Sequence, residues 1–185
     1  MVAAVDFAYS TGRKSDATCI AVIGADTYNN YYILDLDRFK TDNISEYFNH
    51  ILSLHNKWGF RKLRAEVSAA QSVIVKDLKE NYIRPNGLSL AVEDFRPSRW
   101  IGSKEERINA TLEPKYANRQ IWHYRSGNCQ LLEEELIFMN PPHDDVKDAL
   151  ASAIDFVIAP KNSYRMKKDT SQHVFNFNKM FGGVA

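Results

Sequence analysis

The stretch that decides the fold is His143-Asp144-Asp145-Val146-Lys147-Asp148-Ala149-Leu150. From here on, apolar residues recur at the three- and four-residue spacing that buries one face of a helix. They are Val146, Ala149, Leu150, Ala153, Ile154, Val157 and Ile158. Pro141-Pro142 cannot lie inside a helix, so the helix is expected to begin close to Asp144.

The first turn of this helix carries more carboxylates than a helix start needs. One carboxylate is enough to cap a helix, whereas this turn has Asp144, Asp145 and Asp148. At about 100° per residue, Asp145 lies nearest the apolar stripe, Asp144 further round and Asp148 almost opposite. A carboxylate at the edge of the buried face can reach over the end of a neighbouring sheet. We therefore expect Asp145 to perform chemistry, with partners from elsewhere in the chain.

The composition describes an ordinary globular protein without a strong charge bias. The chain has 185 residues, 44% of them hydrophobic, and a formal net charge of +1, so any basic surface must be local. Cys19 and Cys129 are far apart and have no zinc-ligand spacing, which favours buried thiols in a reducing compartment. No apolar run approaches the roughly 18 residues of a membrane span, and the start of the chain lacks a basic signal-peptide region. We expect a cytosolic protein without membrane association.

The order of the predicted elements indicates an α/β fold. Three β-prone segments at residues 2–9, 17–24 and 31–39 are joined by short turns, which favours an antiparallel meander. Helices then alternate with strands: helices at 43–58, 70–82, 103–116, 130–138 and in the acidic stretch, strands at 62–67, 88–95 and 120–124. This pattern predicts a mixed sheet with helices on both faces. We expect one domain over residues 1–160 and a polar tail over 161–185, docked or partly disordered.

Two further acids stand where a charge is costly. Asp6 interrupts the apolar first strand, and Glu66 ends the fourth; a buried carboxylate needs a cation or a metal ion. The alternatives are an outward-facing Asp6 and a Glu66 paired with Arg64 on the same face. Three acids that are distant in sequence can nevertheless hold hard divalent cations, which prefer oxygen ligands. Two such ions about 4 Å apart can promote phosphodiester hydrolysis.

Four segments together resemble the nuclease domain of viral large terminase subunits, of the ribonuclease H-like superfamily. Val5-Asp6-Phe7-Ala8, with Asp16 downstream, is similar to its first motif, and Arg64-Ala65-Glu66-Val67 to its second. Ser103-Lys104-Glu105-Glu106-Arg107-Ile108 is similar to the segment before the last acid, and His143 to Ala149 resembles the third motif. The resemblance covers residues 2–160.

This resemblance implies a metal-dependent endonuclease that cuts concatemeric viral DNA during genome packaging. It implies Asp6, Glu66 and one of Asp144 and Asp145 as ligands of two Mg²⁺ or Mn²⁺ ions. The helix geometry favours Asp145, so that Asp144 caps the helix or supports the second metal. Possible supporting residues are Asp16, His143 and Asp148, for which a turn, a structural hydrogen bond and a solvated helix face are the alternatives.

A basic segment precedes the last acids. It contains Arg96, Arg99, Lys104 and Arg107; these residues could contact the phosphates of double-stranded DNA, or they could form a solvated helix face. The resemblance also implies an ATPase motor domain, a portal and a small terminase subunit as partners in the host cytoplasm. This chain has no GxxxxGK[ST] loop, so we expect a separate C-terminal domain that starts at Met1. Two alternatives are a Holliday-junction resolvase and a non-catalytic module that docks on DNA or the portal.

Overall fold

The computed structural model describes residues 1–8, 16–68, 71–96, 103–138 and 141–161. Within these ranges it has strands β1 to β6 and helices α1 to α5. The strands are Val2–Asp6, Thr18–Ala25, Tyr31–Phe39, Lys62–Glu66, Ala91–Phe95 and Ile121–Trp122. The helices are Ile44–Trp58, Gln71–Asp77, Lys104–Ala117, Asn128–Ile137 and Asp145–Phe156, and α2 continues as a π-helical segment, Leu78–Ile83.

All the strands belong to one mixed sheet with the order β5-β4-β1-β2-β3-β6. β1, β2 and β3 form an antiparallel meander, while β4 joins β1, β5 joins β4 and β6 joins β3 in parallel. Parallel neighbours need crossover connections, and helices provide them. The predicted α/β class and the predicted meander are both confirmed.

Helices cover both faces of this sheet, and β1 divides the core between them. Ala3 and Val5 pack against α1 and α2, whereas Val2 and Ala4 pack on the side of α5. Because side chains alternate along a strand, Asp6 points to the α5 side. Glu66 is its register partner on β4 and points the same way.

Helix α5 is buried on all sides. It lies against β1 and β2 and is covered from outside by α3 and α4, so that every residue from Asp145 to Ile154 is buried. The prediction that Asp148 faces away from the buried surface is therefore wrong, because Asp148 is only 2% exposed. A single apolar stripe identifies the sheet-facing side of a helix, but it does not show what covers the other side.

The predicted helix ends agree well with the structure. Asn43 caps α1, Gly59 ends it with φ 66°, and Ser103 and Glu106 form the capping box of α3. β1 ends at Asp6, and Tyr9, at the end of the predicted strand, lies outside the described residues. Residues 162–185 also lie outside them, so the division into domain and tail stays a prediction. Across the described ranges, no helix is both long and apolar enough to cross a bilayer.

Candidate active site

Three carboxylates meet at the end of β1, where the sheet faces α5. Asp6 and Glu66 are neighbours in register on β1 and β4, and Asp148 comes from the first turns of α5. Burial, followed by the charge of Asp148, raises the pKa of Asp6 well above its usual value, and Glu66 adds to this effect. The three side chains therefore act on each other electrostatically in a largely buried site.

Two cations from the start of α3 enter this cluster. Lys104 Nζ lies 2.8 Å from Asp148 Oδ2, 3.5 Å from Asp144 Oδ2 and 3.7 Å from Asp6 Oδ2. Burial lowers the pKa of Lys104, but the attraction of Asp148 and Asp6 outweighs it and the net pKa is raised. We call Asp6, Glu66, Asp144 and Asp148 the acid cluster.

Arg107, one turn after Lys104, binds Glu66 with both arms of its guanidinium. Its Nη2 donates to Glu66 Oε1 at 2.9 Å and its Nη1 to Glu66 Oε2 at 3.2 Å. The same Nη2 lies 3.6 Å from Asp148 Oδ1. Arg64, the alternative partner in the sequence analysis, instead binds Asp155 at 2.9 Å. That alternative is therefore wrong, because tertiary packing gives both residues other partners.

The donor set of the acid cluster suits a hard divalent cation in its chemistry and charge. All four members supply carboxylate oxygens, and they outnumber the two cations that face them. Within the described ranges, no three acidic, imidazole or thiolate groups are arranged as ligands of one ion. Three carboxylates of the cluster converge instead on Lys104 Nζ. Metal binding at this cluster therefore requires a movement of Lys104.

Asp145 has a different environment from Asp148. Its Oδ2 accepts a hydrogen bond from the Ala17 N–H at 3.0 Å and one from Arg38 Nη2 at 2.9 Å, and the residue is 2% exposed. These contacts join α5 to the beginning of β2 and to β3. The carboxylate that the structure brings to Asp6 and Glu66 is thus Asp148, where helix geometry had favoured Asp145.

The start of α5 is capped by a residue that the sequence analysis did not identify. Glu135 of α4 accepts from the Lys147 N–H at 2.8 Å and from the Val146 N–H at 3.5 Å. Burial is the main cause that raises the pKa of Glu135 to about 7, and the charge of Asp145 adds to it. The hydrogen bonds from the Lys147 and Val146 N–H groups act in the opposite direction. Asp144 holds the capping position without a side-chain capping bond, so its predicted capping role is wrong. The sequence feature that could have indicated a buried Glu135 is its three-residue spacing from Leu132, which is buried on the same helix.

The remaining predicted residues are His143, Asp16, Arg96 and Arg99. His143 Nδ1 is 3.8 Å from Asp16 Oδ1, so these two predicted supporting residues face each other. Arg96 is exposed directly after β5, and Arg99 lies outside the described residues. Of the four basic residues predicted to bind DNA, Lys104 and Arg107 thus belong to the acid site itself.

The mixed sheet with helices on both faces has the ribonuclease H-like α/β fold. The chain is similar in fold to the large terminase nuclease of thermophilic phage G20c, with TM-score 0.55, 17% identity, and coverage of 83% of this chain and 80% of that one. The nuclease domain of the large terminase subunit gp2 of bacterial virus Sf6, solved with manganese and beta-thujaplicinol, gives TM-score 0.55, 13% identity and coverages of 83% and 86%.

A resolvase shares the fold as well. The Fowlpox virus resolvase, in complex with its substrate Holliday junction DNA, gives TM-score 0.52 and 10% identity, with coverage of 84% of this chain and 97% of that one. No protein-family model matches the sequence, and no curated protein matches it. The fold is therefore the one that these nuclease domains have in common.

Proposed function

We propose that this chain is a metal-dependent DNA endonuclease, the nuclease domain of a large terminase that cuts concatemeric viral DNA during genome packaging. The observation that carries the proposal is the meeting of Asp6, Glu66 and Asp148 at one end of the sheet. Together with Asp144, these carboxylates outnumber the two cations that face them, so the cluster keeps an excess of negative charge. The similarity in fold to two large terminase nucleases supports this function.

Asp6, Glu66 and Asp148 would hold two Mg²⁺ or Mn²⁺ ions, with Asp144 as a further ligand. Ions bound in this way supply an activated water and stabilise the leaving oxygen of a phosphodiester. Arg107 fixes the Glu66 carboxylate through two hydrogen bonds. Asp145 is a positioning residue in this proposal, because its Oδ2 accepts from the Ala17 N–H and from Arg38 Nη2.

Lys104 lies on the solvent side of Asp148. Its side chain is 46% exposed, whereas that of Asp148 is 3% exposed. A phosphate that approaches here meets an ammonium group that already lies among the carboxylates. Lys104 can therefore contact a DNA phosphate once its place between the acids is taken by metal ions. Arg96 and Arg99 would extend this basic surface along the backbone of double-stranded DNA.

Plasmid cleavage tests the proposal. Wild type is incubated with EDTA, Mg²⁺ or Mn²⁺ beside Asp148→Asn and the control Asp42→Asn, an exposed aspartate outside the cluster. We expect metal-dependent nicking and linearisation by wild type and the control, and none by a folded Asp148→Asn. Absence of cleavage with every metal, or full activity of Asp148→Asn, would overturn the proposed chemistry.

A Holliday-junction resolvase is the second candidate, because the Fowlpox virus resolvase shares the fold. The same assay with a four-way junction separates the two functions. For a packaging nuclease we expect cleavage of linear duplex and junction at similar rates, and for a resolvase preferential cleavage of the junction. A non-catalytic docking module would bind DNA or a portal and would cleave neither the duplex nor the junction.

The proposed packaging role places the chain with an ATPase motor, a portal and a small terminase subunit in the host cytoplasm.

A further inference from the structure

A cavity of about 260 Å³ lies between α3 and α5, directly beside the acid cluster. Asp148 of the acid cluster lines the cavity, and so does Arg107, which binds Glu66 of the cluster. The remaining wall is formed mainly by Phe95, Ala110, Thr111, Ala151 and Ser152. A group bound in the cavity would therefore be an immediate neighbour of whatever is bound at the carboxylates.

The size and lining of the cavity suit one planar ring system. Its volume is just below the roughly 300–1,000 Å³ of sites for drug-sized ligands. Ala110 and Ala151 leave the space open, and the Phe95 ring provides an aromatic wall. Two guanidinium groups make cation–π contacts with this ring. That of Arg64 lies 4.4 Å from the ring centroid, and that of Arg107 lies 6.0 Å from it.

A polar group in this wall has no partner. Ser152 is 8% exposed, and its buried Oγ makes no hydrogen bond within the described part of the chain. An unpaired buried hydroxyl is costly, and a ligand with a donor or acceptor at its edge would satisfy it. Glu106 and Asp155 also line the cavity, and their charge disfavours a phosphate and favours a neutral group.

We propose that the cavity receives one unstacked nucleobase of the DNA strand whose phosphate lies at the acid cluster. Ser152 follows Asp148 by one helical turn, about 6 Å along the axis, which is a suitable distance between a phosphate and the base beside it. The base packs on Phe95 and hydrogen-bonds Ser152 Oγ. The inference rests on the proposed function, and it makes DNA with an unpaired base next to the scissile phosphate the preferred substrate.

The test uses a substitution that fills the cavity and leaves the residues of the acid cluster unchanged. A leucine at position 110 points back over the preceding turn, which carries Glu106 and Arg107, and so occupies the cavity. Asn109→Leu is the matched control, because Asn109 is exposed on the same helix and does not line the cavity. The probe is a duplex with one unpaired 2-aminopurine, bound in Ca²⁺, and its fluorescence reports unstacking. We expect a rise with wild type and Asn109→Leu and its loss with a folded Ala110→Leu.

A second comparison uses the same duplex with an abasic site in place of the base. Loss of a stacked base weakens binding by roughly tenfold, so wild type should prefer the base-containing DNA and Ala110→Leu should not. Ser152→Ala should lower the affinity for the base-containing DNA alone. No fluorescence rise with wild type, or an equal rise with Ala110→Leu, would overturn the inference.

Cleavage in Mn²⁺, measured in parallel, separates this inference from the proposed function. Cleavage by wild type without a 2-aminopurine response would retain the nuclease and reject the base site. A response that Ala110→Leu removes, without any cleavage, would support the base site and reject the nuclease.

Discussion

Asp145 and Asp148 lie three residues apart on α5, yet Arg38 binds the first and Lys104 the second. Asp145 thereby ties the helix to β3 and to the beginning of β2, whereas Asp148 faces the acids of β1 and β4. One turn of helix thus carries a positioning carboxylate and a proposed metal ligand. Their substitutions should affect different properties of the protein.

The first prediction concerns Asp145→Asn. The change removes the charge from a buried carboxylate that accepts hydrogen bonds from Ala17 and Arg38. Hydrogen bonds to charged groups contribute about 1.5–3 kcal/mol, so the free energy of unfolding should fall by about 2 kcal/mol. Urea denaturation measures this change, and cleavage should persist in the folded fraction. A variant as stable as wild type but without nuclease activity would make Asp145 the catalytic residue after all.

The site around the same helix shows which of its residues can be predicted from the sequence alone. Asp6 could be identified because it places a charge in an apolar strand, and Glu66 because it ends the fourth strand where the resemblance expects an acid; the register of parallel strands brings them together. Asp148 could not be chosen, because its burial depends on α3 and α4 packing over α5. The prediction of Asp145 assumes that one side of the helix is exposed to solvent.

Contacts between elements account for the other differences. The spacing of Lys104 and Arg107 placed both on one side of α3, and the capping box was correct. Their carboxylate partners come from β1, β4 and α5, so no local pattern identifies them. Glu135 likewise caps a helix other than its own.

The second prediction concerns the pH dependence of stability through Glu135. Its pKa is about 7 in the folded protein and about 4.5 when unfolded. The folded state therefore binds more protons between these values, and this group lowers the free energy of unfolding as the pH rises from about 4.5 to 7. Glu135→Gln cannot titrate, and its amide oxygen can still accept from the Lys147 N–H.

Urea denaturation of wild type and Glu135→Gln at pH 5, 6, 7 and 8 measures this contribution. The difference between the two proteins isolates Glu135 from the other titrating groups. We expect the variant to gain stability relative to wild type as the pH rises, with little further change above pH 8. A difference that is constant with pH, or of the opposite sign, would contradict a raised pKa at Glu135.

The third prediction concerns Lys104→Met, which removes the ammonium group and keeps most of the stem. Asp6, Asp144 and Asp148 then lose the cation on which they converge, so their repulsion should lower the melting temperature in EDTA. A ligand that binds only the folded state stabilises it. Mg²⁺ or Mn²⁺ should therefore raise the melting temperature of the variant more than that of wild type.

Lys115→Met on the same helix is the control for this prediction. Lys115 Nζ donates to the Thr111 carbonyl and lies outside the acid cluster, so its substitution should leave the metal-induced shift at the wild-type value. Differential scanning fluorimetry measures all the shifts. Equal shifts for wild type and Lys104→Met would mean that Lys104 and the metal ions do not compete for the carboxylates.

The last prediction concerns Ser152, whose buried Oγ has no partner in the described part of the chain. Removing an unsatisfied buried hydroxyl recovers about 1–3 kcal/mol, and alanine is also the better helix former by roughly 0.5 kcal/mol. Ser152→Ala should therefore raise the free energy of unfolding by about 1.5–3.5 kcal/mol in the absence of DNA. Ser53→Ala, at an exposed position inside α1, measures the helix contribution alone. If both substitutions stabilise equally in urea denaturation, the Ser152 hydroxyl has a partner in solution, and the cavity then lacks the unsatisfied group that the base site requires.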